Sequence, residues 1–154
     1  MGANRIRIAK DKGDLVRALT ISNQTTAPFQ TYVQVLVFAA ALGARRKKRV
    51  PLVEFSRDLE PIRIEIFENN RYDVEINLLA MYETQDHHIL ADDDESQERR
   101  LTIFEEYANG GLEILREELR GAVDYTERIL LILSAERGKQ EQPEEEFDLS
   151  RFLS

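Results

Sequence analysis

The sequence predicts an all-α fold: a single-domain helical bundle with a short N-terminal extended arm or strand and a long C-terminal helix. Three observations carry this. Residues 29–42 are apolar on nearly every side when wound as a helix, as suits the centre of a bundle or a subunit interface. Leu101, Phe104, Ala108, Leu112, Leu115, Leu119, Ala122, Ile129, Leu130 and Leu133 follow steps of three and four for most of their length. A chain of 154 residues, 42% hydrophobic and without cysteine, can bury about two thirds of its unfolded surface in one core without a disulfide or metal staple.

In chain order, Arg5, Ile6, Arg7 and Ile8 alternate charged and apolar, the period of an extended arm with both arginines on one face. From Lys12 the apolar residues Leu15, Val16, Ala18 and Leu19 take helical spacing. Residues 20–27 form a polar loop, in which Thr26 is suited to cap the next helix and Pro28 to sit in its first turn. Gly43 is the expected stop of that helix, followed by the basic run Arg45, Arg46, Lys47, Lys48 and Arg49, which complements the helix dipole at its C-terminus.

Pro61 is expected to open a further helix carrying Ile62, Ile66 and Phe67. Another follows the Asn69, Asn70 pair with Tyr72, Val74, Ile76, Leu78, Leu79, Met81 and Tyr82. Both segments also alternate, so a hairpin turning near Asn70 is the alternative. One helix, straight or kinked, is expected from about residue 97 to 136. Gly110 and Gly111 in its middle cost about 2 kcal/mol relative to alanines. They imply a bend, a second helix crossing very closely, or two helices joined there, and Gly121 marks another break. Residues 1–136 read as one domain and 137–154 as an acidic disordered tail.

Charge is unevenly laid out. The net −8 and the pI near 4.9 conceal a first fifty residues at +8 and a remainder at −16. Such asymmetry can present one basic face to a polyanion while the acidic body faces elsewhere; the alternative is a set of solvated helix faces. No apolar run reaches the ~20 residues of a membrane span and none resembles a secretory signal, so the expected location is the cytoplasm. Ile6 stands where a myristoylation signal needs Ser or Thr.

Without cysteine the chain cannot be a thiol enzyme, a sulfur carrier, a Cys-ligated iron–sulfur protein or a thiolate zinc finger. Gly110 and Gly111 lack the Lys and Ser or Thr of a phosphate-binding loop. His87 and His88 have no nucleophile motif beside them, and with Asp92, Asp93 and Asp94 they match no metal-loop spacing, so neither cofactor nor metal is expected. Glu105, Glu106, Glu117 and Glu118 read as surface carboxylates paired with Arg99, Arg100, Arg116 and Arg120 along the helix. The candidate nucleic-acid contacts are Arg5, Arg7, Lys10, Lys12, Arg45, Arg46, Lys47, Lys48 and Arg49. An arm, a helix and a second helix ending in a basic run resemble in outline the ribbon-helix-helix DNA binders, although residues 20–27 make a longer loop than those modules use.

The segments NRIRIAKDKGDLVRAL, PFQTYVQVLVFAAALGA with KKRVPL, TIFEEYANGGLEIL and GAVDYTERILLIL resemble the dnd system-associated protein 4 family, small proteins encoded beside bacterial DNA phosphorothioation genes. The resemblance spans about residues 4–135. The arm is also loosely similar to the start of the small helical phosphorothioation protein that binds nicked DNA. The resemblance implies a part in DNA phosphorothioation, in the linked restriction of unmodified DNA as antiphage defence, or in regulating either. With desulfurase, iron–sulfur and ATPase roles excluded, the expectation is a non-enzymatic accessory protein. It would contact the DNA backbone through its basic N-terminal third and bind proteins of the same system, with a homodimer as an option. The alternative is an interaction or regulatory module that does not touch DNA.

Overall fold

A computed structural model describes residues 4–22 and 26–144, with the backbone alone for 139–144, and divides the chain into two compact units, Met1–Glu118 and Leu119–Ser154. The architecture is the mainly helical one expected. In the first unit, strand β1 (Arg5–Ile6) pairs antiparallel with β2 (Ile62–Arg63), Arg5 opposite Arg63 and Ile6 opposite Ile62. Ile6 and Ile8 are buried, so the alternation of the arm sorts apolar from charged as its period requires. A 3₁₀ turn at Lys10–Lys12 leads into α1 (Gly13–Ala18).

Helix α2 (Tyr32–Arg45) starts later than the Thr26 and Pro28 pattern suggests. Phe29 is held in extended backbone, its N–H donating to the Leu19 carbonyl while its carbonyl accepts from Ile21. Thr31 therefore caps the helix, accepting from the Gln34 N–H at 3.2 Å. The far end also departs from expectation. Gly43 lies inside the helix, and the stop is a Schellman turn: Lys48 N–H bonds to Gly43 O, Lys47 N–H to Ala44 O, and Lys47 sits in the left-handed region at φ 57°.

The stretch with two readings is helical after a brief strand: α3 (Ile64–Asn69), then α4 (Asp73–Thr84). A second 3₁₀ turn (His87–Leu90) is held by Arg100, which donates to the carbonyls of Ile89 and Ala91 at 2.7 and 2.9 Å. Helix α5 (Asp94–Glu118) begins at Asp93, whose carboxylate accepts from Ser96 N–H at 2.8 Å. That backbone hydrogen bond holds the Asp93 carboxyl below its ordinary range; within the acidic run, Asp93 is a helix cap.

Helix α5 passes through Gly110 and Gly111 without a break. Its most extensive packing is against α2, and the glycines are where the two backbones meet. A Cβ on Gly111 would collide with the backbone of Ala39, one on Gly43 with the Tyr107 carbonyl, and one on Gly110 with the Lys48 carbonyl. The close crossing offsets the glycines' cost in helix propensity. Phe67 from α3 meets Phe104 edge to face at 5.5 Å and completes the core.

The expected continuation to residue 136 is interrupted. In the second unit Leu119 accepts from Ala122 N–H across a turn with Gly121 at φ 76°, a conformation glycine adopts without strain. Asp124 then caps α6 (Tyr125–Glu144) through the Glu127 N–H. Residues 145–154 of the expected tail lie outside the described residues. Among the described residues no helix is long and apolar enough to cross a membrane.

Candidate nucleic-acid interface

The nine candidate cations come from three pieces of backbone: the arm, the first 3₁₀ turn, and the Schellman turn with Arg49 just after it. The structure brings five of them onto one helix, α5, where they meet carboxylates.

Arg7 is the clearest case. Glu105, 4% exposed on α5, accepts from the Arg7 backbone N–H at 2.6 Å and from its guanidinium nitrogens Nε and Nη2 at 3.0 Å each. A buried carboxylate is tolerable when its oxygens are saturated by charge-assisted donors. The hydrogen bond to Glu105 holds the Arg7 guanidinium above its ordinary pKa against burial, and the same guanidinium lies 4.1 Å over the Phe55 ring.

Lys12 is the largest departure from the surface role expected of it. Its side chain is 1% exposed, and its Nζ donates to Asn109 at 2.9 Å and to Asp11 at 3.1 Å, with Glu113 at 3.5 Å. A lysine so enclosed is held by the buried Asn109 amide and by carboxylates at the rim of its pocket, and does not reach a phosphate.

The basic run divides. Arg46 pairs with Glu118, and Lys48 with Glu113 at 3.3 Å. Arg49 bonds Glu106 at 2.7 Å and Glu83 at 2.8 Å. Burial lowers the Arg49 pKa, but the hydrogen bonds to Glu106 and Glu83 outweigh it and the net shift is upward. Glu83 also accepts from the Tyr107 hydroxyl. That bond, with Arg49, holds its carboxyl below the usual range despite some burial. Burial and then Glu83 push Tyr107 up to about 12.

The others stay at the surface. Arg5 and Lys47 are exposed and make no ion pair among the described residues. Arg45 is exposed, and Lys10 pairs with Glu54 at 3.4 Å. An open cleft of about 520 Å³ borders the Arg49 cluster, lined by Arg49 and Arg99 but also by Glu83, Asp86 and Glu98. Its mixed lining is not a polyanion groove.

Sequence reasoning missed two features. Glu105 and Glu106 are not paired along their own helix; they receive Arg7 and Arg49 from 98 and 57 residues away. Arg63, placed opposite Arg5 by the strand register, was outside the candidate set, and local pattern gave no sign of it. Asp86, His87 and His88 each offer a metal-ligating atom within 4.8 Å of the others and are all exposed. The two rings stack at 4.2 Å and 30°, and Asp86 is engaged as the cap of its 3₁₀ turn through His88 N–H.

A family model described as DNA sulphur modification system-associated protein 4 matches residues 5–152. No curated protein and no solved structure matches the chain.

Proposed function

Since the chain belongs to the DNA sulphur modification system-associated protein 4 family, we propose that it is a non-enzymatic accessory subunit of such a system, acting in the cytoplasm by binding another of its proteins. The observation that carries this reading is the pairing of Arg7, Lys12, Arg46, Lys48 and Arg49 with carboxylates within the first unit. Cations spent on the fold are poor phosphate ligands, because each would have to abandon a charge-assisted bond to reach DNA. The absence of cysteine keeps sulfur transfer out of its repertoire. Its place in modification, or in a linked restriction and defence step, follows from the partner it holds.

Co-expression with the other proteins of the system, followed by affinity purification and light scattering, tests the reading. A stoichiometric complex is expected, and the same scattering separates a monomer from a homodimer. Retention of none of these proteins, together with tight salt-sensitive DNA binding, would contradict it.

One observation favours direct DNA contact as a second reading. Arg5 and Arg63 stand opposite each other on the two-stranded ribbon, a like-charge placement that costs stability and favours an anion beside it; among the described residues the ion-pair partner of Arg63 is the exposed Glu65 at 3.6 Å. With Lys47, Arg5 and Arg63 form a reduced set of backbone contacts. Fluorescence anisotropy on duplex DNA at two salt concentrations, comparing the wild type with Arg5→Glu/Arg63→Glu, decides it. Equal weak binding by both proteins removes this reading.

A further inference from the structure

Helix α4 has two apolar sides. One holds Ile76 and Ala80, both buried. On the other, Val74, Leu78 and Tyr82 are 51, 63 and 51% exposed. Their four-residue spacing puts them in a row on one face, rising about 6 Å from one to the next. A 12-residue helix needs only one such side for its own core, and three large apolar side chains in a row at the surface mark a contact site more often than isolated ones do.

The chain around this row is predominantly acidic. Residues 64–98 hold eleven carboxylates and one arginine, Arg71, between Arg63 on one side and Arg99 and Arg100 on the other; on α4 itself Glu83 is paired with Arg49, and Asp73 and Glu75 are the helix's other two carboxylates. At 100° per residue Glu75 falls beside the row, one turn from Leu78. It also carries the one side-chain oxygen among the described residues that is buried without a hydrogen-bond donor. An acidic rim repels nucleic acid, and it opposes a two-fold pairing of this face with a second copy, which would set the same acidic rim against itself. A partner of opposite charge is drawn in and oriented by the same field.

We infer that the outer face of α4 docks a basic amphipathic helix of a partner protein, with apolar anchors on Val74, Leu78 and Tyr82 and Lys or Arg flanks on the surrounding carboxylates. Helix-on-helix recognition of this kind is read by anchors at i, i+3 or i+4, and i+7. The inference rests on the protein-interaction reading above and says where that interaction takes place.

The test uses the full chain and two fluorescent peptides of about 18 residues, long enough to hold a helix. One has leucine anchors and lysine flanks, the other the same anchors with glutamate flanks. The lysine peptide is expected to bind and the glutamate peptide to fail. Leu78→Glu should weaken binding about tenfold or more, and Asp73→Asn/Glu75→Gln about threefold with a flatter salt dependence. Circular dichroism confirms that each variant folds, and Tyr82→Ser serves as a second probe of the row. Equal affinity of wild type and Leu78→Glu overturns the proposal, because binding would then be charge alone. A wild-type dimer in sedimentation that Leu78→Glu dissolves overturns it in favour of a second copy. Retention of the co-expressed system proteins by Leu78→Glu overturns it as well, while leaving the protein-interaction reading standing.

Discussion

The α2–α5 seam and the outer face of α4 are both amphipathic, and they use charge in opposite ways. Along the seam, basic side chains from the first fifty residues are matched to carboxylates at Glu105, Glu106, Glu113 and Glu118. These anchor points are strung over about 20 Å of one helix. On α4 the exposed apolar row lies in a predominantly acidic stretch, residues 64–98, with eleven carboxylates to one arginine. A segment's net charge therefore says little about what it binds until its partners are known. The basic third is largely neutralised by the fold, and the face left unmatched is acidic and apolar.

The largest expected contrast between the two regions is steric. Gly111→Ala forces a methyl into the backbone of Ala39 and should cost about 3 kcal/mol, the upper part of the overpacking range. Leu78→Ala on the exposed row should cost about 0.5 kcal/mol or less. Thermal and denaturant unfolding of the two variants measures the difference, and similar losses would erase the distinction.

Next comes Arg7→Ala, which leaves the Glu105 carboxylate buried without its guanidinium partner. Removing one member of a buried pair costs about 3–5 kcal/mol. The half-exposed position of Arg7 reduces the expectation to about 2 kcal/mol, and Arg7→Lys should restore only part of it because the two-pronged contact is lost.

The Arg49–Glu83–Tyr107 cluster should make the seam sensitive at both ends of the pH scale. Glu83 has a lowered pKa, so its contribution is present above the ordinary value near 4.5 and lost as pH falls through the folded value. Tyr107 is raised, so its contribution is present below the ordinary value near 10 and lost as pH rises towards about 12. Tyr107→Phe should cost about 1–2 kcal/mol at neutral pH and abolish the alkaline limb in melting curves recorded across pH. The last effect is a gain. Lys47 occupies a left-handed position that glycine fills without penalty, and Lys47→Gly should stabilise the Schellman turn by about 1 kcal/mol.

Local pattern revealed the helical class and the closest packing, because both leave periodic traces. The steps of three and four after Leu101 gave the helix, and the pair Gly110, Gly111 left a bend, a close crossing or a join between two helices; the close crossing is how α2 and α5 meet. Element ends were less readable. Phe29 is pinned by bonds to Leu19 and Ile21, so the start of α2 shifted to Thr31. Gly43 resembled a stop because glycine usually takes the left-handed capping position, which here falls to Lys47. The candidate site was legible as a charge imbalance but not as a set of ion pairs, since Arg7 and Glu105 are 98 residues apart. Nor did the spacing of Val74, Leu78 and Tyr82 reveal which side of α4 turns outward, because one period serves a buried or an exposed row equally.

Whether the acidic apolar face or the residual basic surface makes the contact is decided most directly by affinity purification of three proteins, each co-expressed with the other proteins of the DNA sulphur modification system. These are the wild type, Leu78→Glu, and Arg5→Glu/Lys47→Glu, with bound protein quantified at matched expression. The expected result is a partner held by the wild type and by Arg5→Glu/Lys47→Glu but lost from Leu78→Glu. Loss from Arg5→Glu/Lys47→Glu with full retention by Leu78→Glu would contradict the assignment and return the contact to the basic N-terminal third.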